Sequence, residues 1–291
     1  MTVPLTLEEF LAAPIETVQT VAPPTVIYGP AGTRRAAVLA GAEAQSNVYA
    51  DWGLNRLFHF CDLFFQHGVR HLFVATLLSK SFRETTSQYR EHLWQWAQYV
   101  ASDESLALYR QRGWQVRILY HQHLPELRET VERLQVTHSA QARHTLWYSF
   151  TPDHFLPIRW MLDTLGHASP QSLDEAIQLL YGESIPQATL YISYGKPSID
   201  IEIIPPMIYS LLNSYWLQTP YSLDERQLRT IFYDHAYIRQ TWKKDKAGRA
   251  EQAMKYRKAW ETGPTLGLGM RLGSFWYPAP VPAPPLPGDE T

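Results

Sequence analysis

Five short apolar runs recur along the chain with helical stretches between them: "TVIYG" (25–29), "HLFVATLL" (71–78), "QVRILYH" (115–121), "TLWYSF" (145–150) and "TLYISYG" (189–195). Each is too short for a buried helix and rich in β-branched or aromatic residues, so each reads as a strand. Between the first two, Leu54, Leu57, Phe58, Cys61 and Phe65 take helical spacing, and Gly68 stands where a C-cap glycine belongs. A helix over about 84–100 places Tyr89, Leu93, Trp96 and Val100 on one face, and "DESLALYRQRG" predicts another that ends at Gly113. Strand and helix in alternation favour right-handed βαβ units and a mainly parallel sheet, an α/β fold.

Capping-box patterns mark three helix starts, at Thr6 to Glu9, Ser172 to Glu175 and Ser222 to Glu225. The last of these opens a long predicted helix through "RQLRTIFYDHAYIRQTW". "MIYSLLNSYW" (207–216) predicts a sixth strand. No internal repeat or linker interrupts the chain, so residues 1–277 read as one domain. Residues 278–291 are too rich in proline for helix or ladder and read as a disordered tail.

The 291 residues carry a net charge of -2, with 45% hydrophobic and 19% charged residues. That supports a large core and argues against nucleic acid as the main partner, because no basic excess exists to neutralise phosphates. Cys61 is the only cysteine, so no intrachain disulfide forms and a reducing cytoplasm is the expected compartment. The N-terminus lacks a basic, apolar leader, and no run approaches the roughly 20 apolar residues of a membrane span. Aromatic residues are abundant: 10 Trp, 17 Tyr and 11 Phe. They fit either an aromatic core or a cavity shaped for a large apolar ligand.

Ligands in doubly wound sheets sit at the carboxyl ends of strands. "YGPAGTRR" (28–35) lies at such an end. Backbone N–H groups around Gly29 and Gly32 could approach phosphate oxygens there, and Arg34 and Arg35 could add forked, charge-assisted bonds. An ordinary turn with two solvated arginines fits the same letters. Neither a Walker A loop nor G-x-G-x-x-G is present. "LLSKSFRET" (77–85) follows the second strand and offers Ser79, Lys80 and Arg83, or simply a solvated loop. "HQH" (121–123) and "DHF" (153–155) lack zinc-motif spacing. "SIDIEII" (198–204) alternates, which predicts a strand with Asp200 and Glu202 on one exposed face. Paired carboxylates of this kind also bind Mg²⁺. Cys61, on the apolar face of its helix, reads as inert core.

The order of "YGPAGTRR", "FFQHG", "HLFVATLL" and "SKSFR" resembles the cis-prenyltransferases. It is more similar to their divergent diterpene-synthase branch, whose loop reads Asp-Gly-Thr-Arg-Arg where this chain has Ala31, Gly32, Thr33, Arg34 and Arg35. "LEEFLAAPIETV" and "LRTIFYDHAYIR" (228–239) resemble the same branch. The resemblance implies an undecaprenyl diphosphate synthase-like fold: a mostly parallel sheet flanked by helices around an apolar tunnel, as a homodimer. It implies that a diterpenyl diphosphate ionises with help from Mg²⁺ and that water captures the cation. It also implies that Gly32, Thr33, Arg34, Arg35, Ser79 and Arg83 hold the diphosphate, with Tyr49 and Tyr89 catalytic. Chain-elongating members carry an Arg-rich motif after the fifth strand; here that place reads "SYGKPSIDIE", with Lys196 its only cation. That argues against elongation and fits a one-substrate reaction.

Ala31 stands in the slot of the family's aspartate, where it can neither hold Mg²⁺ nor take a proton. Either the chain is an inactivated form, which the otherwise intact motif favours, or the function has moved elsewhere, for instance to Asp200 or Glu202.

Overall fold

The structure, a computed structural model, describes residues 5–30, 33–41, 47–83, 87–139, 142–194, 199–217 and 223–239. It also describes 250, 251, 254, 257, 270–272 and 275–277. At 33–35, 47–51, 87–89, 92, 238–239, 270–272 and 275–277 the description covers the backbone alone.

Six strands form one sheet: β1 (Thr25–Gly29), β2 (His71–Leu77), β3 (Trp114–Ile118), β4 (His144–Phe150), β5 (Ala188–Tyr194) and β6 (Tyr209–Leu217). Their order is β3-β4-β2-β1-β5-β6, and all five pairings are parallel. All five β1 residues are buried, as expected of a strand covered on both faces. Register is fixed by large side chains on neighbouring strands. Phe73 of β2 pairs with Trp147 of β4, and their rings stack at 5.4 Å and 6°. A separate hairpin joins β7 (Met270–Leu272) to β8 (Phe275–Tyr277).

The helices are α1 (Leu7–Ala12), α2 (Ile15–Gln19), α3 (Thr33–Leu39), α4 (Asn47–Gln66), α5 (Ser79–Arg83) and α6 (Ser87–Tyr99). They continue with α7 (Asp103–Arg112), α8 (Arg128–Leu134), α9 (Leu156–Gly166), α10 (Leu173–Tyr181) and α11 (Glu225–Tyr233). Thr6 makes the expected capping box with Glu9. After α4 the chain turns at Gly68, whose φ of 100° suits glycine, and a Cβ there would sit 3.1 Å from the Gln19 backbone. Cys61 is fully buried in α4, and burial pushes its thiol pKa up, as an inert core thiol requires. Arg229 ties α11 to the N-terminal segment by donating to the carbonyls of Leu11 (3.2 Å) and Ala13 (2.7 Å). Among the described residues no helix is long and apolar enough to cross a membrane.

Four sequence expectations are corrected. "QVRILYH" does not run as strand to residue 121; β3 ends at Ile118, and Tyr120 turns the chain with φ of 61°. At Ser172 the hydroxyl accepts from Glu175 N–H (3.1 Å), but the Glu175 carboxylate reaches Gln171 N–H (2.7 Å) rather than closing the box. The cap of α11 is Asp224 with Gln227 rather than Ser222 with Glu225, and beyond Tyr233 the α-helix gives way to a π-helical turn, Asp234–Arg239. Most consequentially, "SIDIEII" is not a strand. Residues 201–203 form a turn in the connection between β5 and β6, and Glu202 is held there by side chains from outside the segment.

Candidate active site

Strands β2 and β4 are neighbours, and their carboxyl ends meet at Leu77 and Phe150. Thr151 locks the two ends together, its N–H donating to the Leu77 carbonyl at 2.8 Å. Into this corner the 199–204 turn inserts Glu202, 3% exposed. Four donors meet its carboxylate. Oε2 accepts from Ser79 N–H (2.6 Å) and Thr151 Oγ1 (3.2 Å). Oε1 accepts from Ser79 Oγ (2.5 Å) and faces His154 Nδ1 at 2.6 Å. Burial alone would raise the Glu202 pKa, yet the bonds from Ser79, His154 and Thr151 outweigh it and hold the carboxyl below its ordinary range.

The loop after β4 fixes His154. Asp153 accepts from Phe155 N–H (2.8 Å) and pairs with Arg159 on α9 (2.7 Å). The Phe155 N–H above all, with help from Arg159 and Arg83, holds the Asp153 pKa below its usual value. Asp200 Oδ1 lies 3.5 Å from His154 Nδ1 and accepts from Glu202 N–H at 3.2 Å.

His154, Asp200 and Glu202 thus bring three ligand-type atoms within 4.8 Å of one another. The set does not fit Mg²⁺. A hard cation of that kind needs free oxygen lone pairs in octahedral array, and the Glu202 carboxylate is already engaged by Ser79 N–H, Ser79 Oγ and His154 Nδ1 at 2.5–2.6 Å, with the Thr151 hydroxyl shared between it and the Leu77 carbonyl. The nitrogen of the set faces Glu202 as a hydrogen-bond donor. The cluster is therefore a hydrogen-bonded acid–imidazole pair with a second acid beside it. It also discriminates between the two acids that the sequence offered in place of the missing aspartate, since Glu202 is committed to protein donors.

Beside this corner lies an open cleft of about 560 Å³ lined by Phe82, Arg83, Arg90, Trp94 and Pro152. The two arginines are exposed, and Phe82 and Trp94 make an aromatic wall with ring centroids 5.1 Å apart.

The sequence-derived candidates fall as follows. Ala31 and Gly32 lie outside the described residues, as does Lys196. Thr33, Arg34 and Arg35 form the first turn of α3, just past the carboxyl end of β1. Tyr49 and Tyr89 lie in the first turns of α4 and α6, with backbone alone described. Since β1 and β2 are parallel neighbours, α3 and α5 start at the same edge of the sheet. At Gly29 a Cβ would come 3.0 Å from Tyr191 OH and 3.1 Å from Ser193 Oγ, so the loop leaves β1 through a gap that suits glycine, and a larger residue would have to push these side chains aside. Ser79 is buried with both donors engaged by Glu202, while Arg83 opens onto the cleft. Arg90 and Trp94 were not singled out from the sequence, and His154 came up only within "DHF", set aside for lack of zinc-motif spacing. For His154 the usable signal was position, immediately past the fourth strand, rather than metal-motif spacing.

No protein-family model matches the chain. Over 275 residues it is 41% identical to (+)-kolavelool synthase of Herpetosiphon aurantiacus, covering 94% of this chain and 95% of that protein. The chain belongs to this family of diterpene synthases. A weaker match is to tuberculosinyl adenosine transferase of Mycobacterium tuberculosis, 25% identical over 297 residues, covering 93% of this chain and 97% of that protein. The fold matches lavandulyl diphosphate synthase from Lavandula x intermedia, solved with dimethylallyl diphosphate. That match has a TM-score of 0.54 at 15% identity and covers 75% of this chain and 97% of the other. A diterpene synthase of cis-prenyltransferase-like fold is the family, as the "AGTRR" loop and the strand order led one to expect.

Proposed function

We propose that this family member converts a bicyclic diterpenyl diphosphate of clerodane or halimane type, such as kolavenyl diphosphate, to a diterpene alcohol such as kolavelool. The observation that carries the reading is 41% identity to (+)-kolavelool synthase over nearly the full length of both chains. The allylic C–O bond ionises, diphosphate leaves, and water captures the cation. Gly32, Thr33, Arg34 and Arg35 hold the diphosphate from the β1 side. From the β2 side Arg83 does so, joined by Arg90 across the cleft. Arginine suits this work because its planar fork meets phosphate oxygens in pairs. Ser79, whose donors serve Glu202, supports Arg83 through the short helix they share. Tyr49 and Tyr89 serve as the catalytic tyrosines, since an aromatic ring can stabilise a carbocation. Mg²⁺ belongs to this reading as the counter-ion of the diphosphate. The protein works as a cytoplasmic homodimer.

One observation favours a second reading, transfer of the same cation to a nucleoside. Half-buried Trp94, in the cleft with two arginines, offers a planar acceptor a stacking partner. The experiment incubates the full chain with kolavenyl and geranylgeranyl diphosphates, with and without adenosine, and identifies the products. Alcohol in both conditions supports the leading reading, and an adenosine adduct supports the second. No diphosphate release from any substrate, by this chain or by its Ala31→Asp variant, overturns both in favour of a silent binding subunit.

A further inference from the structure

Buried ion pairs are poor stabilisers, because desolvation offsets most of their attraction. Ser79 already anchors the 199–204 turn with two donors to Glu202, and the Thr151 hydroxyl, shared with the Leu77 carbonyl, adds a third contact. Yet a fourth contact comes from an imidazole, His154, whose ring is 32% exposed. Its Nδ1 faces Glu202 Oε1 at 2.6 Å and Asp200 Oδ1 at 3.5 Å. No described residue hydrogen-bonds its Nε2. With Nδ1–H committed to a buried carboxylate, the neutral ring keeps its lone pair on Nε2. This is the arrangement by which a buried acid fixes the tautomer of a general base and steadies the imidazolium that forms. It stands at the carboxyl ends of β2 and β4, two residues from Pro152 in the wall of the arginine-bearing cleft.

We propose that His154, held by Glu202, is the catalytic base for the water that captures the carbocation. The inference rests on the diterpene-alcohol reading above. The allylic C–O bond breaks with its electron pair going to diphosphate. A lone pair of the water oxygen forms the new C–O bond to the cation. One water proton moves to Nε2 of His154 and from there to released diphosphate or bulk water. Asp200 and Glu202 stabilise the transient imidazolium from its Nδ1 side.

The discriminating variant is His154→Asn. The amide nitrogen of Asn occupies the place of Nδ1 and keeps the bond to Glu202, while Nε2 is lost. A purely structural histidine would therefore be rescued by Asn. The assay follows diphosphate release and products from kolavenyl diphosphate, in the natural chain and in the Ala31→Asp background. We expect the melting temperature of His154→Asn to match its parent. The ratio of alcohol to diphosphate released should fall at least tenfold, with hydrocarbons from proton loss making up the difference. Glu202→Gln should move the ratio the same way by a smaller factor.

A second measurement needs no turnover. Diethyl pyrocarbonate should ethoxycarbonylate His154 in the folded chain, as mapped by mass spectrometry, and geranylgeranyl S-thiolodiphosphate should protect it. Diphosphate release with an unchanged alcohol ratio in His154→Asn overturns this inference alone, as does labelling that the analogue fails to block. Absence of diphosphate release in both backgrounds overturns the underlying reading, and this inference with it.

Discussion

Ser79 donates both its backbone N–H and its hydroxyl to the carboxylate of Glu202, at 2.6 and 2.5 Å, across 123 residues of sequence. The contact joins the first turn after β2 to the turn after β5. Between those segments lies the carboxyl edge of the sheet, where β1, β2 and β4 deliver their loops. One buried acid thus sets the geometry of the site's floor.

Glu202→Ala should therefore cost more than a truncated surface acid. It leaves the Ser79 N–H, a buried donor, without a partner, which costs about 1–3 kcal/mol. Urea unfolding should show a lower midpoint with an unchanged slope. Limited proteolysis should show new cleavage within 199–204. A midpoint equal to that of the parent would mean that water replaces the carboxylate at no cost.

Much of this architecture was legible because it is local. "TVIYG" occupies β1 without a residue of difference, and "TLWYSF" misses only His144 at the start of β4. Buried parallel strands are continuous apolar runs, and nothing else in the chain looks like them. The 199–204 segment misled because alternation is local, whereas the donors that bury Glu202, from Ser79, Thr151 and His154, lie 123, 51 and 48 residues away. Ile199 and Ile201 are exposed while Glu202 is buried, the reverse of what an alternating strand with its polar face outward would give. The role of His154 was missed for a related reason, since "DHF" was weighed only against zinc-motif spacing. Its partner acid is 48 residues away, and no spacing rule connects them. The α11 cap moved from Ser222 to Asp224 because both letters fit the pattern, and the helix starts where Gln227 can return the bond.

Acid should destabilise the fold through His71, the first residue of β2. Burial above all, reinforced by Arg70, Arg117 and His144, lowers its pKa from 6.5 to about 4. Between those values the unfolded chain binds a proton that the folded chain refuses, so stability rises with pH there. The loss on going from pH 6.5 down to about 4 is on the order of 3 kcal/mol. Glu202 adds to the loss at lower pH. Its pKa is depressed in the fold, so its contribution is present above the ordinary carboxylate value of 4.5 and lost as pH falls through the folded one. In urea melts across this range, His71→Gln should flatten the dependence between pH 6.5 and 4. A slope identical to the parent's would assign the effect to other groups.

Arg83 and Arg90 flank one cleft, and the diphosphate assignment makes a quantitative claim about them. A charge-assisted bond contributes about 1.5–3 kcal/mol. Arg83→Ala and Arg90→Ala should each weaken binding of geranylgeranyl S-thiolodiphosphate by roughly tenfold or more. Arg83→Lys should recover only part, since a point charge replaces a fork. Calorimetric titration at two salt concentrations separates this from diffuse electrostatics, which added salt screens. If Arg90→Ala binds as the parent does, the diphosphate does not bridge the two helices.

The missing aspartate gives the sharpest test. Ala31 stands in the loop where the sequence resemblance implies a carboxylate. The described cluster offers no ready substitute, because Glu202 meets four donors and His154 faces it through Nδ1. Ionisation places growing negative charge on the departing diphosphate, and stabilising such charge with one preorganised group is typically worth on the order of 10²–10³ in rate. Ala31→Asp should therefore raise diphosphate release from kolavenyl diphosphate by a factor of that order. The gain should depend on Mg²⁺ and vanish with EDTA, while the parent's slow rate responds far less. Substrate affinity should change little, since the arginines are untouched. Equal, EDTA-insensitive rates in the two proteins would show that the position carries no catalytic weight. Fast, EDTA-sensitive turnover by the parent would show that another acid already serves, and Asp200→Asn would then abolish it where Glu202→Gln would not.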